Sequence, residues 1–237
     1  DLMATSNVKP KFVFVPGAWH TPDTFDIIRD VLAKRGFESE AIANRSVGAA
    51  DPSTGLHADT AYTKSILSNL ADQGWQIVMA GLPGGVVQMV WMAAFVAPMG
   101  KSVIDMLGGE WLPWMILKDP DDGYCYSSQQ ECVFYHDLTP QAQQDAISKL
   151  QPHPKPSFLE KAKYEPWHKM PSFYLFCDHD KGLPLRSQEA FSQTLGTPGT
   201  YHVEGSHSAF ISVPHQVADG LELALKEGLE KSGIVTH

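Results

Sequence analysis

Cysteine is scarce in this chain: Cys125, Cys132 and Cys177 are the only three in 237 residues. An odd number without metal-type spacing argues against a disulfide framework. Reduced thiols in a cytoplasmic protein are the simplest reading, and pairing of Cys125 with Cys132 is the alternative. Positive charge is also short, with 18 Lys and Arg against 27 Asp and Glu, a formal net charge of −9. No basic run offsets it, so nucleic acid is not expected as a partner. No stretch reaches the ~18 consecutive apolar residues of a membrane span. The first eleven residues are polar and lack the apolar core of a signal peptide. Internal repeats and low-complexity segments are missing too. What remains is ordinary for a globular protein: 43% apolar and 19% charged residues, enough for one large domain or a domain with an insertion.

One further absence is local. Gln76-Ile77-Val78-Met79-Ala80 is a short apolar run, followed by Gly81-Leu82-Pro83-Gly84-Gly85 and the apolar segment Val86 to Ala97. Read as strand, sharp turn and buried helix, this is the setting of a nucleophile elbow, G-x-S-x-G. The turn contains no serine, cysteine or aspartate. The nucleophile position falls on Leu82 or on Pro83, depending on which glycines are matched. Leu82 fits better, because proline fixes φ near about −65° and suits a helix start. In that register Pro83 also lacks the N–H that would supply half of an oxyanion hole. The alternative is a plain βα turn that never held a nucleophile.

Elsewhere the pattern alternates. Strands are expected at Lys11–Val15, Glu38–Ala43, Ile77–Ala80, Ser102–Leu107, Ser172–Cys177 and Tyr201–Val203. Thr21-Pro22-Asp23 marks a helix start, with Thr21 as cap and an apolar stripe at Phe25, Ile28, Val31 and Leu32. Further helices are expected at Ala58–Leu70, Arg186–Leu195 and His215–Lys231. About six strands alternating with helices imply a doubly wound, mostly parallel α/β sheet. Between Leu107 and Ser172 the alternation stops. Trp111, Trp114, Met115 and other aromatics mix there with helical pieces such as Pro140–Leu150, and no strand is evident. This divides the chain into a core of residues 1–107 and 170–237 and a helical lid insertion of residues 108–169. A lid there would lie over the carboxyl ends of the strands, with Trp111, Trp114 and Met115 as pocket residues.

Three loops should meet at that edge. Pro16-Gly17-Ala18-Trp19-His20 follows the first strand, and the empty elbow follows the third. Cys177-Asp178-His179-Asp180-Lys181-Gly182-Leu183-Pro184 and Gly205-Ser206-His207-Ser208-Ala209-Phe210 follow the last two. With these segments in order, the sequence resembles small α/β-hydrolase-fold proteins of the esterase and hydroxynitrile-lyase type, over nearly the whole chain. The resemblance implies an α/β-hydrolase fold, an oxyanion loop and pocket wall at Gly17, Ala18, Trp19 and His20, an acid at Asp180 and a catalytic imidazole at His207. The chain departs from it at the degenerate elbow, Leu82-Pro83, which puts an acyl-enzyme in doubt.

A His–Asp pair stays useful without a serine, since the carboxylate orients the imidazole and supports its charged form. The expected function is therefore a repurposed enzyme, a lyase, cyclase or isomerase of secondary metabolism, acting on an apolar small molecule. A hydrolase using His207-activated water and a non-catalytic ligand-binding relic are the alternatives. No cofactor and no metal are expected, because Asp178, His179, His202 and His207 lack standard ligand spacing. The expected partner is the apolar substrate, with neither nucleic acid nor membrane; a homodimer is left open.

Overall fold

The computed structural model describes residues 10–79 and 86–233. The chain opens with β1 (Pro10–Phe14), and a 3-10 turn at Pro22–Phe25 leads into α1 (Asp26–Lys34). Then come β2 (Glu38–Ala41), α2 (Leu56–Asp72), β3 (Gln76–Met79), β4 (Val86–Met92) and a short α3 (Val103–Met106). The next segment holds β5 (Met115–Leu117), β6 (Tyr124–Ser127), α4 (Gln130–Val133), α5 (Pro140–Ile147), β7 (His153–Pro154) and α6 (Pro156–Leu159). The last part is β8 (Ser172–Cys177), α7 (Leu185–Thr194), β9 (Gly199–Val203), α8 (Ala209–Ser212) and α9 (Pro214–Lys231).

Six strands form one sheet in the order β2-β1-β3-β4-β8-β9. All five neighbouring pairs are parallel. Such a sheet must be covered on both faces, and alternation along each strand serves both. Phe12, Phe14, Val90, Phe173 and Leu175 face α1 and α9 through Ile28, Leu32, Leu221 and Leu225. On the opposite face Val13, Ile77 and Met79 pack with Leu67 and Leu70 of α2, and Tyr174 and Phe176 pack with Phe191 of α7. Helix α9 lies close against β4: a Cβ on Gly228 would meet the Cβ of Gln88 at 2.7 Å and the carbonyl oxygen of Val87 at 2.8 Å.

Four expectations are corrected. Val86–Met92 is a central strand and not the start of a buried helix. A short, continuously apolar segment buried on both faces carries no period that separates strand from buried helix. Conversely, Ser102–Leu107 is not a strand but the cap and body of α3. Ser102 accepts a hydrogen bond from the Asp105 N–H at 3.1 Å, and Asp105 accepts one from the Ser102 N–H at 2.8 Å. That reciprocal box closes a helix start that the apolar pattern hides. Third, the insertion is not purely helical: β5, β6 and β7 form a separate antiparallel sheet. Fourth, Thr21 makes no side-chain cap bond; its hydroxyl donates to Asp23 instead.

Only six residues separate β3 from β4. Parallel neighbours are ordinarily joined by a crossover of a dozen or more residues, usually a helix. The expected elbow residues Leu82 and Pro83 fall in this link and lie outside the described residues.

Candidate active site

The sheet's carboxyl edge and the insertion enclose a cavity of about 530 Å³. Its walls are chiefly apolar: Phe134, Phe158, Trp114 and Met115 of the insertion and Val13, Met79, Met89 and Trp91 of the sheet line it. Of the expected lid residues, Trp114 and Met115 reach the cavity, whereas Trp111 packs behind it on Phe158, ring centres 5.5 Å apart. Gly17, Ala18, Trp19, His20 and His207 all line it.

His207 stands in the loop after β9, and Asp180 in the loop after β8. Nδ1 of His207 lies 2.8 Å from Oδ2 of Asp180. The carboxylate is fully buried, while the imidazole keeps 28% of its side-chain surface exposed. Asp180 is itself held: Oδ1 accepts the N–H groups of Gly182 at 2.7 Å and Leu183 at 2.8 Å. Because a carboxylate only accepts, Nδ1 carries the proton, which leaves Nε2 as the basic nitrogen of the neutral ring. Among the described residues Nε2 has no hydrogen-bond partner. Burial pulls the imidazole pKa down, but the charge and hydrogen bond of Asp180 outweigh it, and the net shift is upward. Asp178 instead meets the exposed His202 at 2.7 Å, and His179 meets Glu204 at 3.6 Å. The carboxylate in contact with His207 is thus Asp180 and not Asp178.

The loop after β1 turns sharply. The His20 N–H donates to the Gly17 carbonyl at 3.3 Å, and Trp19, the third residue of the turn, has φ of 66°. Glycine is the usual occupant of such a position, and a tryptophan there costs ~1–3 kcal/mol unless its surroundings hold it. They do. Its indole N–H donates to the Cys125 carbonyl at 2.9 Å and its backbone N–H to Nδ1 of His153 at 3.3 Å. His20 is buried, with Nδ1 donating to the Ala18 carbonyl at 2.7 Å and Nε2 accepting the Tyr135 hydroxyl at 2.8 Å. Desolvation lowers its pKa to about 4, so it is neutral at physiological pH.

A second buried polar cluster was not foreseen. Ser46 donates to Asp59 through its N–H at 2.8 Å and through Oγ at 2.5 Å, and Nε2 of His153 lies 2.7 Å from Oγ. Serine, histidine and aspartate in contact suggest a triad, but the protons run the wrong way. Nδ1 of His153 accepts the Trp19 N–H, so Nε2 carries the proton and donates to Ser46. A nucleophile needs a base that accepts its proton. Burial, and then the nearby His20, lower the His153 pKa to about 4. The thiols offer no substitute nucleophile in the cavity. All three are free, with burial pushing Cys125 up to about 12 and Cys177 well above its ordinary value. Cys132 is exposed and is not among the residues lining the cavity. Among the described residues, no group of three or more His, Cys, Asp or Glu could hold a metal ion.

A parallel sheet with a His–Asp pair at its carboxyl edge, under an insertion, defines the α/β-hydrolase class. Residues 12–220 match the alpha/beta hydrolase family, and the chain belongs to it. It is similar to the alpha/beta hydrolase nvfD of Aspergillus novofumigatus, 24% identical over 249 residues covering 94% of this chain and 99% of that protein. Among solved structures, polyneuridine aldehyde esterase superposes with a TM-score of 0.73 at 14% identity, over 91% of this chain and 98% of that one. The methylesterase MES16 from Arabidopsis gives 0.69 at 17%, over 91% and 98%. A pyrethroid hydrolase from Sphingobium faniae gives 0.70 at 16%, over 93% and 100%.

Proposed function

We propose that this protein is an α/β-hydrolase-family enzyme that rearranges or cleaves an apolar small molecule by acid–base catalysis, without a serine nucleophile. Lyase, cyclase and isomerase reactions fit this description. The observation that carries the reading is His207: its orienting nitrogen is fixed on a buried carboxylate, and its other nitrogen has no partner among the described residues. Such an imidazole can take a proton from a bound molecule and return it elsewhere. Residues 80–85 offer no hydroxyl, thiol or carboxyl group to attack with. The walls would exclude water and fix the substrate's shape, which favours intramolecular steps. The name of the fungal relative, with the nvf label of a lettered gene set, agrees with a role in secondary metabolism.

Hydrolysis by His207-activated water is a second reading, supported by the esterases among the structural neighbours. One experiment tests both. The protein is incubated with a panel of lactones, esters, cyanohydrins and polycyclic hydroxyketones in H₂¹⁸O, and products are followed by mass spectrometry for the parent and His207→Ala. The primary reading expects products isomeric with, or fragments of, the substrate, free of ¹⁸O. It also expects a rate loss of about 10²- to 10⁴-fold in the variant. Incorporation of ¹⁸O selects the hydrolase, and a parental rate in His207→Ala removes His207 from the chemistry.

A further inference from the structure

Some of the buried polar groups that the acid–base pair does not use line another part of the same cavity. Asn44, Asp59 and Ser157 all line it. Each has something left over. Asn44 donates one Nδ2 hydrogen to the Pro16 carbonyl at 2.8 Å, and its oxygen is buried without a partner among the described residues. Ser157, on α6, is 8% exposed, and its hydroxyl is also buried and unpaired among the described residues. Asp59, on α2, accepts from the Ser46 hydroxyl and from the Ser46 and Arg45 backbones, and a carboxylate has about four acceptor positions. Native proteins rarely leave such groups unmet, and a site that meets a ligand is one reason they do.

We propose that Asn44, Asp59 and Ser157 form a second polar pole of the cavity, which accepts a hydrogen bond from a hydroxyl group of the bound molecule. The hydroxyl specificity follows from the chemistry of the free atoms. Asn44 presents an unpaired oxygen, Asp59 only accepts, and a serine hydroxyl rotates to accept or donate. A phenol, enol or alcohol supplies the missing proton. An ether oxygen, a ketone or a carboxylate brings another acceptor, which leaves the Asn44 oxygen and the Asp59 carboxylate unmet. The pole is rigid, because His153 is tied to the Trp19 backbone on one side and to Ser46 on the other. A chain of aromatic contacts links it to the reacting nitrogen. Phe134 stands 5.4 Å from the His207 ring, Trp19 5.9 Å from Phe134, and His153 6.4 Å from Trp19, centre to centre. The substrate class is therefore an apolar scaffold that carries a hydroxyl besides the bond that changes. This rests on the proposed function only for the orientation of that scaffold.

The test is direct binding, separate from turnover. The fluorescent naphthol steroid equilenin and its 3-O-methyl ether share a rigid scaffold, and only the first donates a hydrogen bond. Fluorescence titration of the parent should show the naphthol binding about ten- to a hundredfold more tightly. Ser157→Ala and Asp59→Asn should each reduce that preference at least severalfold, and His207→Ala should keep it. Asp59→Asn disturbs the Ser46 network, so circular dichroism checks its folding, and Ser157→Ala decides alone if it unfolds. The proposal is overturned if the parent binds neither probe or shows no preference. It is equally overturned if the preference survives Ser157→Ala at its parental size, or disappears in His207→Ala. Failure of the acid–base reading would show instead as product formation indifferent to His207→Ala, with the preference intact.

Discussion

His207 and His20 lie at one cavity, yet their surroundings push them in opposite directions. Asp180 holds the first above the ordinary imidazole value, and burial pulls the second to about 4. One is thus a titrating acid–base group and the other a neutral hydrogen-bond bridge. If His207 acts as base, the rate should fall as pH drops through its raised pKa, so the acid limb should lie above about 6.5. Asp180→Asn should move that limb downward and cost up to ~10⁴-fold in rate, through the wrong tautomer. A pH–rate profile of both proteins measures this, and an unmoved limb would separate Asp180 from the titration. This pair was legible in the sequence because each member sits in a compact loop motif directly after a strand. The cluster of Ser46, Asp59 and His153 was not. Its serine and histidine are 107 positions apart, and nothing local in the sequence says that the insertion folds back onto the loop after β2.

At the level of elements, helix α9 is fixed by its closeness to β4. Gly228→Ala would normally gain helix propensity worth about 1 kcal/mol. Here the new methyl group meets the backbone oxygen of Val87, which cannot swing aside. The variant should lose about 1–3 kcal/mol in urea denaturation, the cost of overpacking; a gain in stability would show that α9 can shift. The insertion offers the opposite case. Trp114 is half-buried and stacks edge-on with Trp19 at 5.6 Å and Phe134 at 5.3 Å, at the cavity wall. Trp114→Ala should weaken equilenin binding by about tenfold or more while the Tm falls by only a few degrees. A large Tm loss with unchanged binding would make it a structural prop. Element type was hardest to read where apolar residues run together, as in Val86–Met92. It was easiest in the amphipathic stretch His215–Lys231, which matches α9 to within a residue.

For the whole molecule, pH should govern stability through the buried histidines. His20 and His153 have folded pKa values of about 4, below the ordinary 6.5. The unfolded chain binds protons more readily across that window, so their contribution is present above pH 6.5 and lost as pH falls toward 4. His207, shifted upward, works in the other direction and above 6.5. Asp59, raised by burial, opposes the histidines only at the low end. Thermal melts should therefore show Tm falling steadily from about pH 7 to about pH 5, and His153→Gln should flatten the slope; a flat parental profile would contradict the burial of both rings. The alternating pattern was enough to imply a doubly wound sheet, and it counted six strands while misplacing one. What it could not show is that the sheet itself forms part of the cavity floor. The cavity reaches down to the sheet, where Met79, Met89 and Trp91 line it. Those side chains rise as ribs of fixed pitch, about 4.8 Å from strand to strand and about 6.6 Å along each. A flat fused-ring molecule would span two or three such ribs. Each rib ends in one side chain, so a single substitution recuts the cavity floor there while the strand beneath keeps its place.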